Sequence, residues 1–195
     1  MRHHTLLAAI AVTMLSSTSG SASPAQAVVS GIYELDTAQS ENAFKVIDSA
    51  TATISDDKRP LVRMRLRKSI AVNRIRISTA GGRVGLAYDA KTPIVVWIGG
   101  DPITWKLIPE LVFDVSVKAD GGTVALTFRG DDSERTSEYH SVGQDLVENS
   151  TIIIPLLSTP IVYKQVFKRR ADLIYEQTYD KKPLNSLHRI DADAG

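Results

Sequence analysis

Chemistry needs donors, acceptors and nucleophiles at workable spacing, and after residue 27 this chain offers few. Two histidines occur there, His140 and His188. His140 sits in Glu138-Tyr139-His140, on the polar side of a segment whose other side carries Tyr139. A general base needs an oriented partner and a pocket, and the nearest acids in sequence, Asp131, Asp132 and Glu134, fall in a turn. His188 lies in a polar C-terminal stretch. Asp131-Asp132-Ser133-Glu134 offers oxygens of the kind calcium takes, without the alternate-position spacing of an EF-hand loop; it reads as a charged hairpin tip. The chain has no cysteine, which removes thiol nucleophiles, thiolate zinc sites and iron–sulfur clusters. There is no Gly-x-Ser-x-Gly elbow and no phosphate-binding loop of the Gly-x-x-x-x-Gly-Lys type. The paired glycines at 81–82, 99–100 and 121–122 precede strand patterns, so hairpin turns explain them. Asn149-Ser150-Thr151 fits a glycosylation sequon, which matters only in a eukaryotic secretory route. These features point away from an enzyme and call for neither cofactor nor metal.

Two other sets suit binding. Lys58, Arg59, Arg63, Arg65, Arg67, Lys68, Arg74 and Arg76 follow one another with no acid between them. Arginine presents a planar fork of donors that matches phosphate and carboxylate, so Arg63, Arg65 and Arg67 are candidate anion-binding residues. A solvated face that keeps a sheet edge from pairing is the alternative. The second set is aromatic. Tyr88, Trp105, Phe113, Phe128 and Tyr139, with Trp97 a further candidate, fall at positions that would face one interior. They would line a ligand cavity or fill a solid core, and both readings use the same inward residues.

The elements that must position these groups follow from periodicity. Gly31 to Leu35 reads as a short strand. Asp36 or Thr37 can cap a helix running to about Ile54, with Ala43, Phe44, Ile47, Ala50 and Ile54 on one face. From Leu61 the period changes: Val62, Met64 and Leu66 alternate with Arg63, Arg65 and Arg67, a strand pattern. A short helix is the alternative, since Leu61, Met64 and Lys68 also share a helical face. Beyond residue 70, turn signals recur about every ten residues between alternating segments, which marks an antiparallel meander. Arg74-Ile75-Arg76-Ile77, Val84 to Tyr88, Ile103 to Leu107, Phe113 to Val117 and Val124 to Phe128 each have one wet and one dry face. A last strand runs from Ile161 to Arg170. The expected fold is mainly β: an up-and-down meander closing as a barrel or strongly curled sheet, which removes open edges, with one N-terminal helix over about 37–54.

The start of the chain sets the expected location. Arg2, His3 and His4 precede an apolar run from Leu6 to Leu15, and Pro24-Ala25-Gln26-Ala27 has the small-x-small ending of a cleavage site. This pattern predicts a signal peptide over 1–27, cleaved after about Ala27. Ten apolar residues are too few for a spanning helix, which needs roughly 20. The protein is therefore expected to be exported, periplasmic or secreted, with no transmembrane segment in the mature chain. Residues 28–170 suit one domain that can bury a core without disulfides. Residues 171–195 read as a polar tail, partly helical or disordered. The formal charge of +1 argues against a nucleic-acid binder.

This layout resembles the lipocalin and calycin group. Gly31-Ile32-Tyr33 sits where that group has glycine, any residue and tryptophan in its first strand. Arg169 and Arg170 end the last strand, where the group places an arginine that packs on that aromatic. Tyrosine stands here in place of tryptophan. The Gly-x-Tyr-Glu-Leu start and the segment Arg65 to Lys68 are also similar to exported bacterial proteins that bring no known activity. The resemblance implies a non-enzymatic, exported protein that binds an apolar or amphipathic small molecule inside a barrel. The alternative is a cell-envelope interaction or structural protein with a solid barrel and an arginine-rich face for polyanions. Expected partners are thus a lipid-like small molecule or an anionic envelope component.

Overall fold

The computed structural model describes Val28 and residues 30–170. The expected signal peptide over 1–27, His188 and residues 171–195 lie outside these residues. The first strand, β1 (Gly31–Leu35), is followed by two helices, α1 (Ala43–Ala50) and α2 (Arg59–Ile70), joined by a 3₁₀ turn at Thr51–Thr53. Nine strands follow: β2 (Arg74–Ala80), β3 (Arg83–Tyr88), β4 (Ile94–Trp97), β5 (Ile103–Ile108), β6 (Leu111–Asp120), β7 (Thr123–Arg129), β8 (Glu134–Val142), β9 (Asp145–Ile153) and β10 (Ile161–Arg169). They form one ten-stranded antiparallel sheet in the order β4-β3-β2-β1-β10-β9-β8-β7-β6-β5. Consecutive strands pair as hairpins from β2 to β4 and from β5 to β10, β1 pairs with β2 across the two helices, and β1 closes against β10. This is the expected meander, curled into a nearly closed barrel.

The helical region differs from the sequence expectation. A single helix from Thr37 gives way to a turn, because the Asp36 carboxylate accepts from the Ala38 amide and the Gln39 side chain. Such local bonds compete with helix initiation. Asn42 caps α1 instead, accepting from the Lys45 amide at 3.0 Å. Ile47 and Ala43 are buried, while Phe44 points out. The strand pattern at 61–67 is likewise overturned in favour of its helical alternative. Proline stands in the first turn of α2, where its fixed φ suits a helix and no N–H is needed. Leu66 and Ile70, one turn apart, are the buried pair, and Met64 is exposed. Arg67 and Lys68 in the last turn complement the helix dipole.

Sheet register sets what points inward. Ile75, Ile77, Val84, Leu86, Tyr88, Ile94 and Val96 face the interior from β2–β4, and Val115, Val117, Val124, Leu126 and Phe128 from β6 and β7. Trp97 is one step off this parity; it lies on the outer face, 55% exposed, with the Arg83 guanidinium 5.1 Å from its ring. Adjoining glycines at 121 and 122, both at positive φ, make the tight β6–β7 turn. Gly31 is favoured for a different reason: a Cβ there would lie 3.2 Å from the Tyr33 ring and 3.3 Å from Arg169 Nε, so one of them would have to give. Tyr33 and Arg169 are cross-strand partners, so the aromatic of the first strand and the arginine of the last meet at the closure.

The barrel has one seam, between β4 and β5. Ile98 bridges to Val117 of β6 at one end, with the Gly99 amide donating to the Val117 carbonyl. At the other end the Trp105 indole donates to the Thr92 carbonyl at 2.8 Å. A second apolar cluster, including Ala43, Ile47, Ile54, Leu66, Ile70, Ile152, Ile154, Ile161 and Tyr163, seats the helices on the barrel mouth.

Candidate ligand site at the barrel mouth

The interior is built from two kinds of wall. On the β2–β7 side the aromatics expected from sequence do converge. Trp105 lies against Tyr88, Phe113 and Phe128, with ring centroids 5.9–6.3 Å apart, in the tilted and stacked geometries such rings favour. Tyr88, Trp105, Phe113, Phe128 and Tyr139 are all inward and buried.

The β8–β10 side carries polar residues that sequence reasoning missed. Ser137 faces Ser150, which faces Tyr163; Tyr139 faces Glu148, which faces Gln165. The Tyr88 and Tyr139 hydroxyls are 2.8 Å apart. Tyr139 then donates to Glu148 Oε1 at 3.1 Å, and Ser150 donates to the same oxygen at 2.8 Å. Ser137 and Ser150 share a bond of 2.9 Å. Burial is the main reason the phenols resist ionisation: Tyr88 and Tyr139 are pushed well above the usual range, and Tyr163 to about 12. Negative charge on Glu148 pushes the same way. Arg135 supplies the opposing positive charge. Its guanidinium lies 4.2 Å from the Phe128 ring centroid, and Nη1 donates to the Ser69 carbonyl of α2 at 2.6 Å. Its Nε is buried and has no hydrogen-bond partner among the described residues.

A cavity of about 190 Å³ opens where α2 meets the turns of the mouth. Val62 and Leu66 of α2, Leu111, Phe113, Ile154 and Leu156 give it apolar walls; Arg65, Ser69, Asp132 and Ser133 supply polar groups. Arg135 lies just behind it, touching Ser69 and, through Phe128, Phe113. Of the five aromatic candidates, Phe113 is the one that lines this cavity; the others belong to the core beneath.

The three arginine candidates are separated. Arg65 lines the cavity and is ion-paired with Asp132, tying α2 to the β7–β8 turn. Arg63 turns to the helix pair, donating to Thr51 Oγ1 at 2.8 Å and to the Asp48 carbonyl at 2.7 Å. Arg67 pairs with Asp48. They do not form a single anion cradle; two of them clamp α1 to α2. His140 is half-buried on β8, across from Val147. No group of three or more His, Asp or Glu that could hold a metal occurs among the described residues. The mouth residues come from α2, the start of β6 and the turns that follow β7 and β9, so no local signal in the sequence marks them.

No family model matches the chain, and no curated protein matches it. Among solved structures, an abundant heat soluble (SAHS) protein from Ramazzottius varieornatus is similar with a TM-score of 0.51 at 12% identity, covering 72% of this chain and 94% of that one. The fatty-acid-binding protein of Manduca sexta is similar with a TM-score of 0.48 at 18% identity, covering 72% and 98%. Zebrafish ileal bile acid-binding protein, complexed with cholic acid, gives 0.45 at 17% identity and the same coverage. With its strand order and closure, the chain has a lipocalin-like, calycin-type barrel fold.

Proposed function

We propose that this protein is a non-enzymatic binder of an apolar or amphipathic small molecule, taken up at the barrel mouth under α2. The carrying observation is the apolar cavity between Val62, Leu66, Leu111, Phe113, Ile154 and Leu156. Burying a ligand's apolar part there supplies about 25 cal/mol per Å² before the costs of binding. An acidic end group finds arginine at either side: Arg65 at the rim, Arg135 behind Phe113. At about 190 Å³ the cavity is below the ~300 Å³ typical of drug-sized ligand sites. A larger ligand requires α2 to lift from the turns, which means breaking the Arg65–Asp132 pair and the Arg135 bond to Ser69.

The test is native mass spectrometry of the protein from its own cells, then exposure of the stripped protein to a lipid extract. A bound species of defined mass, lost in Leu111→Trp while the melting transition stays cooperative, supports the mouth site. A bare protein that regains nothing favours the second reading, a solid barrel with an interaction or structural role. That reading has its own support: the inward aliphatics of β2–β4, such as Ile75, Ile77, Val84, Ile94 and Val96, have no exposure at all. We also propose export, on the pattern of residues 1–27. N-terminal sequencing of the mature protein should begin at Val28; a chain that keeps Met1 overturns it.

A further inference from the structure

We propose that the outer face of α1 and α2 docks on an anionic lipid bilayer. The reason begins with α2, which carries large apolar side chains on two faces. Leu66 and Ile70 face the barrel and are buried. On the opposite side, Leu61 is 56% and Met64 45% exposed, and Phe44 of α1 is also 45% exposed. Leu61 and Met64 are one turn apart on α2, and Arg67, one turn further on, reaches across to α1, its guanidinium 5.8 Å from the Phe44 ring centroid. An open groove runs along the same face, lined by Asp56, Arg59, Pro60, Arg63, Met64, Arg67 and Lys68. Large apolar side chains grouped on a surface mark a contact rather than chance exposure.

Charge says what the contact is. Residues 41–70 hold seven basic and four acidic side chains. Asp48 and Asp56 are engaged by Arg63, Arg67 and Arg59. Lys45, Lys58 and Lys68 are exposed and make no ion pair among the described residues. A ring of basic groups around exposed apolar residues fits the interface of an anionic bilayer, with ammonium groups at the headgroups and apolar tips just below. A second copy of the chain fits poorly, because a symmetric contact would set this basic face against itself. A soluble polyanion would leave Leu61, Met64 and Phe44 without a role.

The test is co-sedimentation with vesicles of phosphatidylcholine alone and of phosphatidylcholine with phosphatidylglycerol, at low and high salt. Wild type and variants are compared side by side, so that a contribution from other segments is common to all. The anionic vesicles should bind roughly tenfold more tightly, and salt should weaken that preference. Lys58→Glu with Lys68→Glu should remove the preference. Leu61→Ser with Met64→Ser should lower anionic-vesicle binding roughly fivefold while leaving the melting temperature unchanged. Leu111→Trp, which fills the mouth, should bind vesicles like wild type, so failure of the ligand reading and of this one are distinguishable. Equal binding to both vesicle types, no loss in either double variant, or binding to heparin but to no vesicle overturns the proposal.

Discussion

The two walls of the interior are equally buried but held by different physics. Between β2 and β7 the inward positions are aliphatic and aromatic, and their stability comes from area removed from water and close packing. Between β8 and β10 the inward positions include Arg135, Ser137, Tyr139, Glu148, Ser150, Tyr163 and Gln165. Burial alone would penalise that wall. It survives because register places the Tyr139 and Ser150 hydroxyls on the Glu148 carboxylate and Ser137 on Ser150, while Arg135 bonds the Ser69 carbonyl of α2. The apolar wall tolerates small rearrangement; the polar wall depends on its partners being present together.

Substitutions that remove volume on one side and partners on the other test this contrast. The largest effect is expected for Phe128→Ala, which empties the centre of the aromatic cluster and removes the platform under Arg135; urea unfolding should show a loss of about 4 kcal/mol. Arg135→Leu comes next, at about 3 kcal/mol, because it keeps bulk but leaves Glu148 without its buried counter-charge. A loss below about 1 kcal/mol would mean that packing alone holds this wall. High pH should act through the buried phenols of the polar wall and of Tyr88, which bonds to it. Unfolded tyrosine ionises near pH 10, whereas Tyr88, Tyr139 and Tyr163 hold their protons to higher pH when folded. Folding therefore keeps protons that the unfolded chain releases, so this contribution is complete below pH 10 and is lost as pH rises towards the folded values. Tyrosinate absorbance should thus appear together with loss of the near-ultraviolet circular dichroism. The titration is read in a Tyr175→Phe, Tyr179→Phe background, which removes the two tyrosines after residue 170; tyrosinate from Tyr88, Tyr139 or Tyr163 forming near pH 10 in a still-folded protein would sink the network. Ser137→Ala, which removes one partner of Ser150, should cost about 1 kcal/mol. The smallest effect is expected at the rim: Arg65→Ala removes a partly exposed ion pair worth less than about 1 kcal/mol, yet should speed ligand uptake in stopped-flow fluorescence if α2 is the gate.

The same contrast explains what could be read from sequence. Strands β2, β3, β6 and β7 were legible because their inward residues are apolar and their outward ones polar, and the meander with its closure followed from their spacing. Strand β8 is legible only around Tyr139 and His140, since its inward Arg135, Ser137 and Ser141 alternate with outward polar residues and leave little period to see. Trp97 is an inward candidate from sequence because a four-residue strand is too short to fix parity; Ile94 and Val96 hold the interior positions. In α2 the alternation of three arginines with Val62, Met64 and Leu66 imitated a strand, and the decisive signal lay further on, in the Leu66 and Ile70 pair. Tyr88, Trp105, Phe113, Phe128 and Tyr139 do face inward, but the mouth is hidden from sequence because Val62, Leu111, Asp132 and Ile154 meet only after the whole sheet has curled.

The closure of β1 on β10 also carries a timetable. Tyr33 finds Arg169 only after almost the entire domain has been made, and until then the first strand has one side without a neighbour. A chain emerging from its N-terminus must hold that edge open while nine more strands and two helices arrive. Such long-range pairing folds slowly and exposes sticky edges on the way. Ending the chain before Ile161 would leave both β1 and β9 half-paired, so the last strand acts as the clasp that turns a growing ribbon into a finished vessel.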